Sequence, residues 1–471
     1  MFYNNNWLVT KYKESTRIPK VYSLDEYIEN YETIIQKSSY VDLWSVFFEN
    51  FRKLFLNIGF PATYQFFWCE NTKFADVVHE SKNVYLSFFV TTWSQNILYS
   101  LSVKQNSNSV FNSIFVSKSS QNIYSSVSIT ESFNIFFSQW IYNSNNIRFS
   151  KNLTWCFECI ACSNLENQSY CIKNQKFTRE EYIDKKNEIM KWKDRFSSIY
   201  NQLFKIHFQN HNSINCVWWS IVESENIDNW LYIYNIKNSW NVIMQASDIG
   251  WKNIYDSILW GSWETYDLYA SIGAWICNHL YSSIQCGTCT NMFYSMFCES
   301  SSFCLGCIGL KNKSYCILNK QYTKEERYEK VDEIFADMEA EWTLGQFFPA
   351  TMNPFYFNDT AAYLINPTFT KEEVAAKGYL WRDEAIKVDI PEWAKVISIN
   401  ELANYERRID NPDSDNQKWF IDPEILKVII QDEQGNVYRI VKMEYDFLMK
   451  HGLPLPRKHR LERMKENFRI Q

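Results

Sequence analysis

Apolar and polar residues alternate along residues 81–155 in short segments of nearly constant length. The repeating unit is Ser-x-Asn followed by Ile or Val, and only Ser109 replaces the Asn. The units start 12 or 13 residues apart, at Ser81, Ser94, Ser107, Ser120, Ser132 and Ser144. Alternation with a period of two predicts β-strands, and the Ser, Asn and Thr residues between them predict turns.

A short strand-and-turn unit cannot bury its apolar side alone, whereas stacked copies share one continuous core. We therefore expect a parallel β-solenoid, with either one unit in each small coil or two units in a coil of about 25 residues. Asn at a fixed turn position tolerates a left-handed backbone and is expected to form side-chain ladders. An antiparallel immunoglobulin-like sandwich is the alternative, because it also contains many short strands. The near-constant spacing favours the solenoid.

Residues 159–181 and 304–326 are related by an internal duplication. At a constant offset of 145 residues, 12 of 23 positions are identical. In each copy a threonine, Thr178 or Thr323, is followed three residues later by glutamate. This spacing is typical of a capping box, so each half is expected to continue into a helix, over about 182–205 and 327–340. The same device recurs at Ser23 with Glu26 and at Thr370 with Glu373.

These patterns predict a mainly β protein made of two parallel β-solenoid halves with α-helical caps and a mixed helix-and-loop C-terminal region. The second half is less regular, with recognisable units only at 224–227, 239–242 and 251–254. The aromatic run at 47–56 is expected to belong to a helix that covers the first solenoid. The predicted regions are an N-terminal helical cap (1–66), solenoid half 1 (67–175), a linker helix (176–206), solenoid half 2 (207–318), a helix (319–341) and the C-terminal region (342–471).

The composition is that of a globular chain, with 46% hydrophobic and 22% charged residues among 471. We expect no membrane association, because no apolar run reaches about 18 residues. The first residues lack the features of a secretory signal, and 13 cysteines is an odd number. A cytoplasmic protein with reduced thiols is therefore expected. The net charge of −6 gives no general argument for nucleic-acid binding.

The duplicated cysteines follow the spacing Cys-x2-Cys-x8-Cys, and three interpretations remain open. Cys-x2-Cys is the usual half of a tetrahedral zinc site, which makes zinc the candidate cofactor. Cys156 could add a fourth ligand in the first half, and Cys298 or Cys289 in the second. The thiols could instead pack in the core as small apolar groups, or act as redox or catalytic groups. The candidate metal ligands are Cys156, Cys159, Cys162, Cys171, Cys304, Cys307 and Cys316.

Other metal-binding and catalytic sites have weaker support in the sequence. His207 and His211 have a spacing found in helical metal sites, but no glutamate accompanies them and the surrounding residues resemble a loop. The pair Glu180–Glu181 already has a role at a helix start, which argues against a catalytic dyad. No glycine-rich phosphate loop, Gly-x-Ser-x-Gly elbow or kinase motif is present.

The C-terminal segment 440–471 is locally basic. It contains eight Lys or Arg residues and four Asp or Glu residues. Phosphate groups or an acidic partner are therefore candidate ligands, with an ordinary solvated helix end as the alternative. The candidate contacts are Arg457, Lys458, Arg460 and Arg463.

Several of these segments resemble a group of uncharacterised Cys-rich repeat proteins from ultra-small candidate-phyla bacteria. The resemblance rests on the segments 47–51, 315–326, 341–349 and 438–457, together with the Cys-x2-Cys-x8-Cys cap. The chain departs from the group where it has Asn-Ile or Asn-Val, since the group usually has Asn-Cys, and where it lacks Cys-x2-Cys pairs beside the tail motif. No activity is established for the group, so the resemblance implies architecture only.

Glycine is unusually rare, with 11 residues against 19 tryptophans. The resemblance implies an explanation, because some lineages of this kind read the codon UGA as glycine. A gene translated with UGA as tryptophan would then place Trp where Gly belongs. Trp342 and Trp381 match tryptophans of the group and are expected to be true tryptophans. The candidates for glycine are Trp155, Trp218, Trp219, Trp251, Trp260, Trp263 and Trp275.

Together these features predict a non-enzymatic solenoid scaffold or binding protein whose partner, a protein or a nucleic acid, the sequence does not identify. Two other functions are compatible with the sequence. One is a zinc-binding protein associated with nucleic acid, which would use the cysteines and the basic tail. The other is a solenoid enzyme with a carboxylate-lined cleft on one flank, which would contain acidic groups with raised pKa values.

Overall fold

The computed structural model describes residues 19–36, 46–66, 68–190, 286–360, 366–383, 390–409 and 418–468. It also describes residues 17, 284 and 362–363 and the strands at 2–3, 9–10, 214–216, 225–227 and 278–281. The predicted parallel β-solenoid is confirmed, and the immunoglobulin-like alternative is wrong. Each Ser-x-Asn unit forms one coil with two strands, which excludes the coil of two units.

Two sheets run along the first solenoid half. The strands of sheet 1 are Glu70–Lys73, Lys82–Tyr85, Gln95–Leu98, Asn108–Phe111, Gln121–Tyr124, Phe133–Phe136, Asn145–Arg148, Phe157–Ile160 and Ser169–Ile172, with Gln175–Lys176 added antiparallel. The strands of sheet 2 are Gln65–Phe66, Asp76–His79, Phe88–Val90, Leu101–Val103, Ile114–Ser117, Val127–Thr130, Gln139–Tyr142, Lys151–Thr154 and Ser163–Glu166.

Within a coil, the structure repeats every three residues. Ser94, Ile97, Ser100 and Val103 are fully buried, and they are the four inward-pointing residues of one coil. The residue before each inward one has a positive φ, as at Asn96, where φ is 57°. These left-handed residues turn the chain so that every third side chain points inward. The coil therefore has a square cross-section with two inward aliphatic columns and two inward polar columns.

The polar columns are ladders of buried serines. The Ser126 hydroxyl donates to the carbonyl of Tyr124 at 2.8 Å and accepts the amide N–H of Ser138 at 3.1 Å. A buried amide without a partner is costly, so the serine at each corner satisfies a backbone group of the next coil. Serine recurs at the start of each unit because its hydroxyl makes both bonds. One ladder runs through Ser87, Ser100, Ser113, Ser126, Ser138 and Ser150.

The expected Asn ladder is also present. Asn83 donates from its side-chain amide to Asn96 at 2.9 Å, and Asn96 donates in turn to Asn108 at 3.0 Å. Beyond this point the ladder includes the bonds from Asn122 to Asn134 and from Asn134 to Asn146. At the one unit without the repeated Asn, Ser109 donates to the neighbouring Asn108.

The two duplicated segments end their coils in the same way. In the first, Asn174 accepts from the amide of Ser163 at 2.8 Å and donates to its carbonyl at 2.9 Å. In the second, Asn319 makes the same pair of bonds with Ile308, at 2.8 and 2.9 Å. The asparagine side chain thus takes the place of the next strand and closes the exposed sheet edge. Each copy then forms an antiparallel end hairpin, with Cys171 opposite Lys176 and Cys316 opposite Gln321.

The predicted capping boxes are confirmed. In the first copy, Thr178 accepts from the amide of Glu181 at 3.3 Å, and the Glu181 carboxylate accepts from the amide of Thr178 at 3.0 Å. The bond from the Thr178 amide is the largest of the effects that lower the pKa of Glu181. Equivalent boxes occur at Thr323, Ser23 and Thr370. The helices are α1 (Leu24–Glu29), α2 (Tyr31–Gln36), α3 (Phe47–Asn57), α4 (Arg179–Met190), α5 (Lys324–Ala340), α6 (Lys371–Ala376), α7 (Lys442–His451) and α8 (Arg460–Phe468).

The described part of the second half continues the same architecture. Parallel bridges at 12-residue steps join Ile284, Met296 and Ile308 on the other side of the coil. Of the candidate units at 224–227, 239–242 and 251–254, the structure describes only residues 225–227. These form a strand that pairs in parallel with the strand at 214–216. The strands are Ile214–Cys216, Glu225–Ile227, Asn278–Tyr281, Thr290–Phe293, Ser302–Leu305, Cys316–Ile317 and the antiparallel Lys320–Gln321.

The N-terminal helices pack against the second half, so the expectation that they cover the first solenoid is wrong. The ring centroids of Phe47 and Tyr294 lie 5.4 Å apart. Gly306 and Gly309 allow this approach, because a Cβ atom at Gly306 would lie 2.9 Å from the Phe47 ring. The duplicated positions in the first half are Ala161 and Asn164. Side chains at these positions would obstruct an equivalent helix there.

Outside the solenoid, the remaining strands are short. They pair as Phe2–Tyr3 with Val9–Thr10, Lys20–Tyr22 with Gly59–Pro61, and Glu406–Ile409 with Lys418–Ile421. A three-stranded sheet contains Val396–Ser398, Ile429–Gln431 and Val437–Tyr438. Short 3-10 helices occupy Ala350–Met352, Phe357–Asp359, Ile399–Tyr405 and Pro423–Lys427. We call the described part of residues 396–468 the C-terminal module.

Tryptophans of the first solenoid lie at left-handed positions. Trp68, Trp93, Trp140 and Trp155 have φ values between 41° and 58°. This conformation suits glycine, which has no Cβ to clash with the backbone. Asn, Ser and Phe residues of this solenoid are left-handed too, so the backbone at Trp155 does not test the glycine hypothesis; Trp342, expected to be a true tryptophan, is also left-handed with φ at 57°. The other six candidates lie outside the described residues.

Replacing Trp155 by glycine is expected to stabilise the protein by about 1 kcal/mol. Relief of the left-handed backbone is worth roughly 1–2 kcal/mol, and the greater freedom of glycine in the unfolded chain offsets part of it. Trp155 is 59% exposed, so little packing is lost. Urea unfolding measures the change, with exposed Trp393, which has no positive φ, as the matched control. An unchanged or lower unfolding midpoint for Trp155→Gly contradicts the prediction.

Candidate functional site

The candidate metal ligands all point into the solenoid interior. Cys156, Cys159 and Cys162 are inward residues of one coil, and Cys171 stacks on Cys159 in the next. In the second half, Cys304 and Cys307 belong to one coil and Cys316 stacks on Cys304. All seven side chains are buried.

Cys156, Cys162 and Cys307 occupy places that serine holds elsewhere in the polar columns. The other four thiols lie in the aliphatic column, where Cys159 stacks on Ile147 and Cys304 on Met292. The Cys162 thiol donates to the carbonyl of Ile160 at 3.3 Å and accepts the amide of Asn174 at 3.4 Å. Cys307 does the same with the carbonyl of Leu305 and the amide of Asn319, at 3.4 and 3.5 Å. This arrangement favours the core-packing interpretation, because the thiols complete the backbone ladder.

The zinc interpretation gains no geometric support. Among the residues that the structure describes, no three His, Cys, Asp or Glu side chains are arranged to hold a metal ion. Each thiol instead has the carbonyl two residues earlier as a hydrogen-bond acceptor, as Cys304 has that of Ser302 at 3.2 Å. His207 and His211 lie outside the described residues.

The thiols of the second half are associated with a buried positive charge. Arg327 in the first turn of α5 is only 3% exposed. Its Nε and Nη2 atoms have no hydrogen-bond partner among the residues that the structure describes. Burial lowers the pKa of Arg327, and Tyr328, Cys304, Cys307 and Asp332 act in the opposite direction. The guanidinium carbon lies 5.2 Å from the centroid of the Tyr328 ring.

The three thiols of the second half shift one another's pKa values. Bonds from the thiols of Cys307 and Cys316 lower the pKa of Cys304 to about 4. Burial, and then the hydrogen bond to Cys304, raise the pKa of Cys307. The bond to Cys304 is also the main cause that raises the pKa of Cys316. The pKa of Cys304 is thus lowered, while the pKa values of Cys307 and Cys316 are raised.

The duplicated site in the first half has no such charge. Tyr182 stands at the position of Arg327 and is buried against Tyr170. The Cys156 thiol lowers the pKa of Cys159, but the Cys162 thiol and burial outweigh it and raise that pKa overall. The two copies therefore share three cysteines, and the pKa shifts of the equivalent Cys159 and Cys304 have opposite directions.

The basic tail is not a continuous exposed patch. Arg463 is 8% exposed, and its Nη1 atom donates to Glu444 at 2.8 Å and to the Tyr124 hydroxyl at 3.2 Å. Its burial and its pairing with Glu444 argue against Arg463 as a phosphate contact. Arg460 lies 6.0 Å from the Tyr99 ring, and Lys458 pairs with Glu466. Arg457 remains exposed.

The tail instead docks the C-terminal module on the flank of the first solenoid. Phe447 packs against the Phe111 and Tyr124 rings at centroid distances of 4.3 and 6.0 Å. Asn467 in α8 donates to the carbonyl of Asn112 at 2.7 Å. The apolar column covered on this flank is Leu98, Phe111, Tyr124 and Phe136.

A second flank of the first solenoid remains exposed. We call it the front face, and it consists of the Asn ladder and the adjacent outward column of sheet 1. Phe133 and Phe157 in this column are each 41% exposed and are two coils, or roughly 9.5 Å, apart. Between Asn83 and Asn146 both columns lack charged residues. The outward column is Lys82, Gln95, Asn108, Gln121, Phe133, Asn145 and Phe157.

Sequence reasoning did not identify Arg327, Glu444 or the front-face phenylalanines as functional candidates. The duplication contained a signal for the first, since position 327 is arginine where the other copy has Tyr182. Glu444 has no such signal, because its partners come from α8 and from a strand more than 300 residues earlier.

No described helix has the length and apolar character needed to cross a membrane. A search for related proteins identified no matching protein-family model, no matching curated protein and no matching solved structure.

Proposed function

We propose that this protein is a non-enzymatic solenoid scaffold whose front face binds an uncharged, hydroxyl-rich polymer of the polysaccharide class. The observation that carries the proposal is the pair of exposed rings, Phe133 and Phe157, set in a column of amide side chains without charge. Aromatic rings pack against apolar C–H surfaces, and amides hydrogen-bond to hydroxyl groups. The coil rise places the two rings roughly 9.5 Å apart, with the amide of Asn145 between them, so that an extended polymer could contact both.

The same face is poorly suited to nucleic acid. Affinity for a phosphate backbone depends on Lys and Arg, and the front face has none between Asn83 and Asn146. The zinc-dependent alternative needs converging ligands, and the enzyme alternative needs acidic groups in a cleft. The front face provides neither arrangement. Its Asn column contains no acidic residue from Asn83 to Asn146, and the first one after Asn146 is Glu158.

Replacing both Phe133 and Phe157 by alanine is expected to weaken polysaccharide binding by about fivefold for each ring, since an aromatic contact is worth roughly 1 kcal/mol. Affinity electrophoresis in gels that contain hydroxyethyl cellulose, xylan or dextran measures the retardation of the full-length protein. Phe88→Ala is the matched control, because Phe88 is 40% exposed on a different flank.

Retardation that is insensitive to salt and is lost only in the front-face variant supports the proposal. Three results contradict it. These are no retardation by any of the three polymers, equal loss in Phe88→Ala, and salt-dependent binding of a labelled oligoribonucleotide without polysaccharide binding.

A further inference from the structure

We propose that the exposed surface at the end of α5 is a docking site for a basic, amphipathic peptide segment of another protein. This surface combines three large apolar side chains in the loop after α5 with three acidic side chains at the end of the helix. We call it the α5 end, and its residues are Trp342, Leu344, Phe347, Asp337, Glu339 and Glu341. The proposal does not depend on the front face, which belongs to the first solenoid half.

Trp342 stands in a place that the fold itself does not explain. Its side chain is 85% exposed, and its backbone is left-handed with φ at 57°. It directly follows the last residues of α5, where glycine or asparagine is usual because both tolerate this conformation. A large apolar side chain here adds strain to the backbone and little packing to the core. An apolar contact with a partner gives this side chain a role.

The loop after α5 is fixed against the second solenoid half. The amide of Thr343 donates to the carbonyl of Met338 at 2.8 Å, which folds the loop back onto the helix end. The amide of Gly345 donates to the Tyr294 hydroxyl at 2.8 Å. The ring centroid of Phe348 lies 6.1 Å from that of Tyr294. A loop held at both ends loses little conformational freedom when it binds.

This fixed loop displays a concentrated set of apolar side chains. Leu344 is 40% exposed and Phe347 is 38% exposed, and both lie within five residues of Trp342. Exposed tryptophans surrounded by smaller apolar contacts are the usual centre of a protein interface. The loop therefore supplies the apolar part of a binding surface.

The charge beside these apolar side chains selects the class of partner. Asp337, Glu339 and Glu341 are exposed at the end of α5, whose last turn has no basic residue. The sequence contains no Lys or Arg from 331 to 370. The carboxyl end of a helix is already the negative end of its dipole, so these carboxylates destabilise α5. Lys or Arg residues of a partner would offset this unfavourable charge.

The same charge argues against other occupants. Nucleic acids and anionic membranes are negatively charged and would be repelled. A second copy of this chain, placed symmetrically, would bring the same acidic groups face to face. An amphipathic helix with apolar residues on one side and Lys or Arg on its flanks provides both of the required contacts.

The test compares two fluorescently labelled amphipathic peptides with the same leucine pattern, one with lysine and the other with glutamate at the polar positions. Fluorescence anisotropy measures their affinity for the full-length protein. We expect the lysine peptide to bind, with an affinity that falls as salt is added, and the glutamate peptide not to bind. Trp342→Gly should weaken binding of the lysine peptide roughly tenfold or more, as the loss of a central interface tryptophan does.

This variant separates binding from folding. Glycine suits the left-handed backbone, so Trp342→Gly should unfold at the same urea concentration as the unmodified protein or at a higher one. Trp393→Ala is the matched control, because Trp393 is 83% exposed outside the α5 end. It should leave the affinity for the lysine peptide unchanged.

A second pair of variants tests the charge. Glu339→Gln combined with Glu341→Gln should weaken binding of the lysine peptide and reduce its salt dependence. Glu372→Gln combined with Glu433→Gln removes the same charge from exposed positions elsewhere and should change neither.

The proposal is overturned if the lysine peptide does not bind, if Trp342→Gly keeps full affinity, or if Trp393→Ala loses as much. Equal loss in the two pairs of glutamate variants also overturns it, because the peptide would then respond only to the net charge of the protein. A dimer that forms with rising protein concentration in sedimentation experiments and is abolished by Trp342→Gly would assign the surface to a second copy instead. Binding of a labelled oligoribonucleotide or of phosphatidylserine vesicles that is lost in Trp342→Gly would overturn the choice of a basic partner.

Discussion

Replacing Arg463 by methionine is expected to weaken the docking of the C-terminal module by about 3–5 kcal/mol, because it leaves a buried carboxylate without its partner. Glu444 is fully buried, and its Oε1 atom is 2.8 Å from the Arg463 guanidinium. The module should then separate from the Phe111 and Tyr124 flank. Limited proteolysis and amide exchange of residues 396–468 measure this, together with the urea unfolding midpoint.

The control and a compensating variant make this prediction specific. Arg457→Met removes an equal charge from an exposed position and should leave docking unchanged. The double variant Glu444→Leu with Arg463→Met should recover most of the loss, because apolar side chains can replace a buried ion pair without leaving a charge. Unchanged protection of the module in Arg463→Met would show that the aromatic contacts alone hold it.

Replacing Ser126 by alanine is expected to destabilise the first solenoid half by about 1–3 kcal/mol, the cost of leaving one buried amide without an acceptor. The hydroxyl is the acceptor for the Ser138 amide at 3.1 Å, and no water can reach this fully buried place. The Tyr124 carbonyl loses one bond but keeps another, from the Phe137 amide at 3.0 Å. Urea unfolding measures the loss.

Cysteine is the informative comparison at this position. Ser126→Cys should cost less than Ser126→Ala, because Cys162 already makes both ladder bonds in the same column. Ser119→Ala is the control, since Ser119 is exposed. If alanine and cysteine destabilise the protein equally, the serines contribute through packing rather than through hydrogen bonds.

The repeat length and residue pattern predicted much of this architecture. The Ser-x-Asn unit at 12- or 13-residue intervals indicated stacked coils, and Asn at a fixed turn position indicated the ladder that Asn83 and Asn96 form. The capping boxes were predictable because their two residues are three positions apart and interact locally. The duplicated Asn174 and Asn319 were visible as identities, but their closing role depends on backbone groups 11 residues away.

The candidate sites were less predictable. The spacing of Cys159, Cys162 and Cys171 resembles half of a zinc site, yet the same spacing arises from inward positions three residues apart in a coil. The three-residue repeat of inward side chains is not visible in the sequence, because Asn, Phe, Ser and Trp all occupy the left-handed positions between them. The basic tail was interpreted from charge alone, and charge along the chain does not reveal that Arg463 has an acidic partner in α7.

The sequence alone is sufficient to specify the coil, because a unit of fixed length with inward Ser and Val or Ile can satisfy its backbone and bury its apolar groups only by stacking on copies of itself. It also determined where each duplicated segment turns into a helix, through bonds between residues close in the chain. Which surfaces of the solenoid are covered depends instead on contacts between distant segments of the chain. Helix α3 reaches the second half because Gly306 leaves room for Phe47. The C-terminal module covers the first half because Arg463 neutralises Glu444 there and the Tyr124 hydroxyl hydrogen-bonds to both. These choices depend on shape and charge between residues that are distant in sequence, which no local pattern encodes.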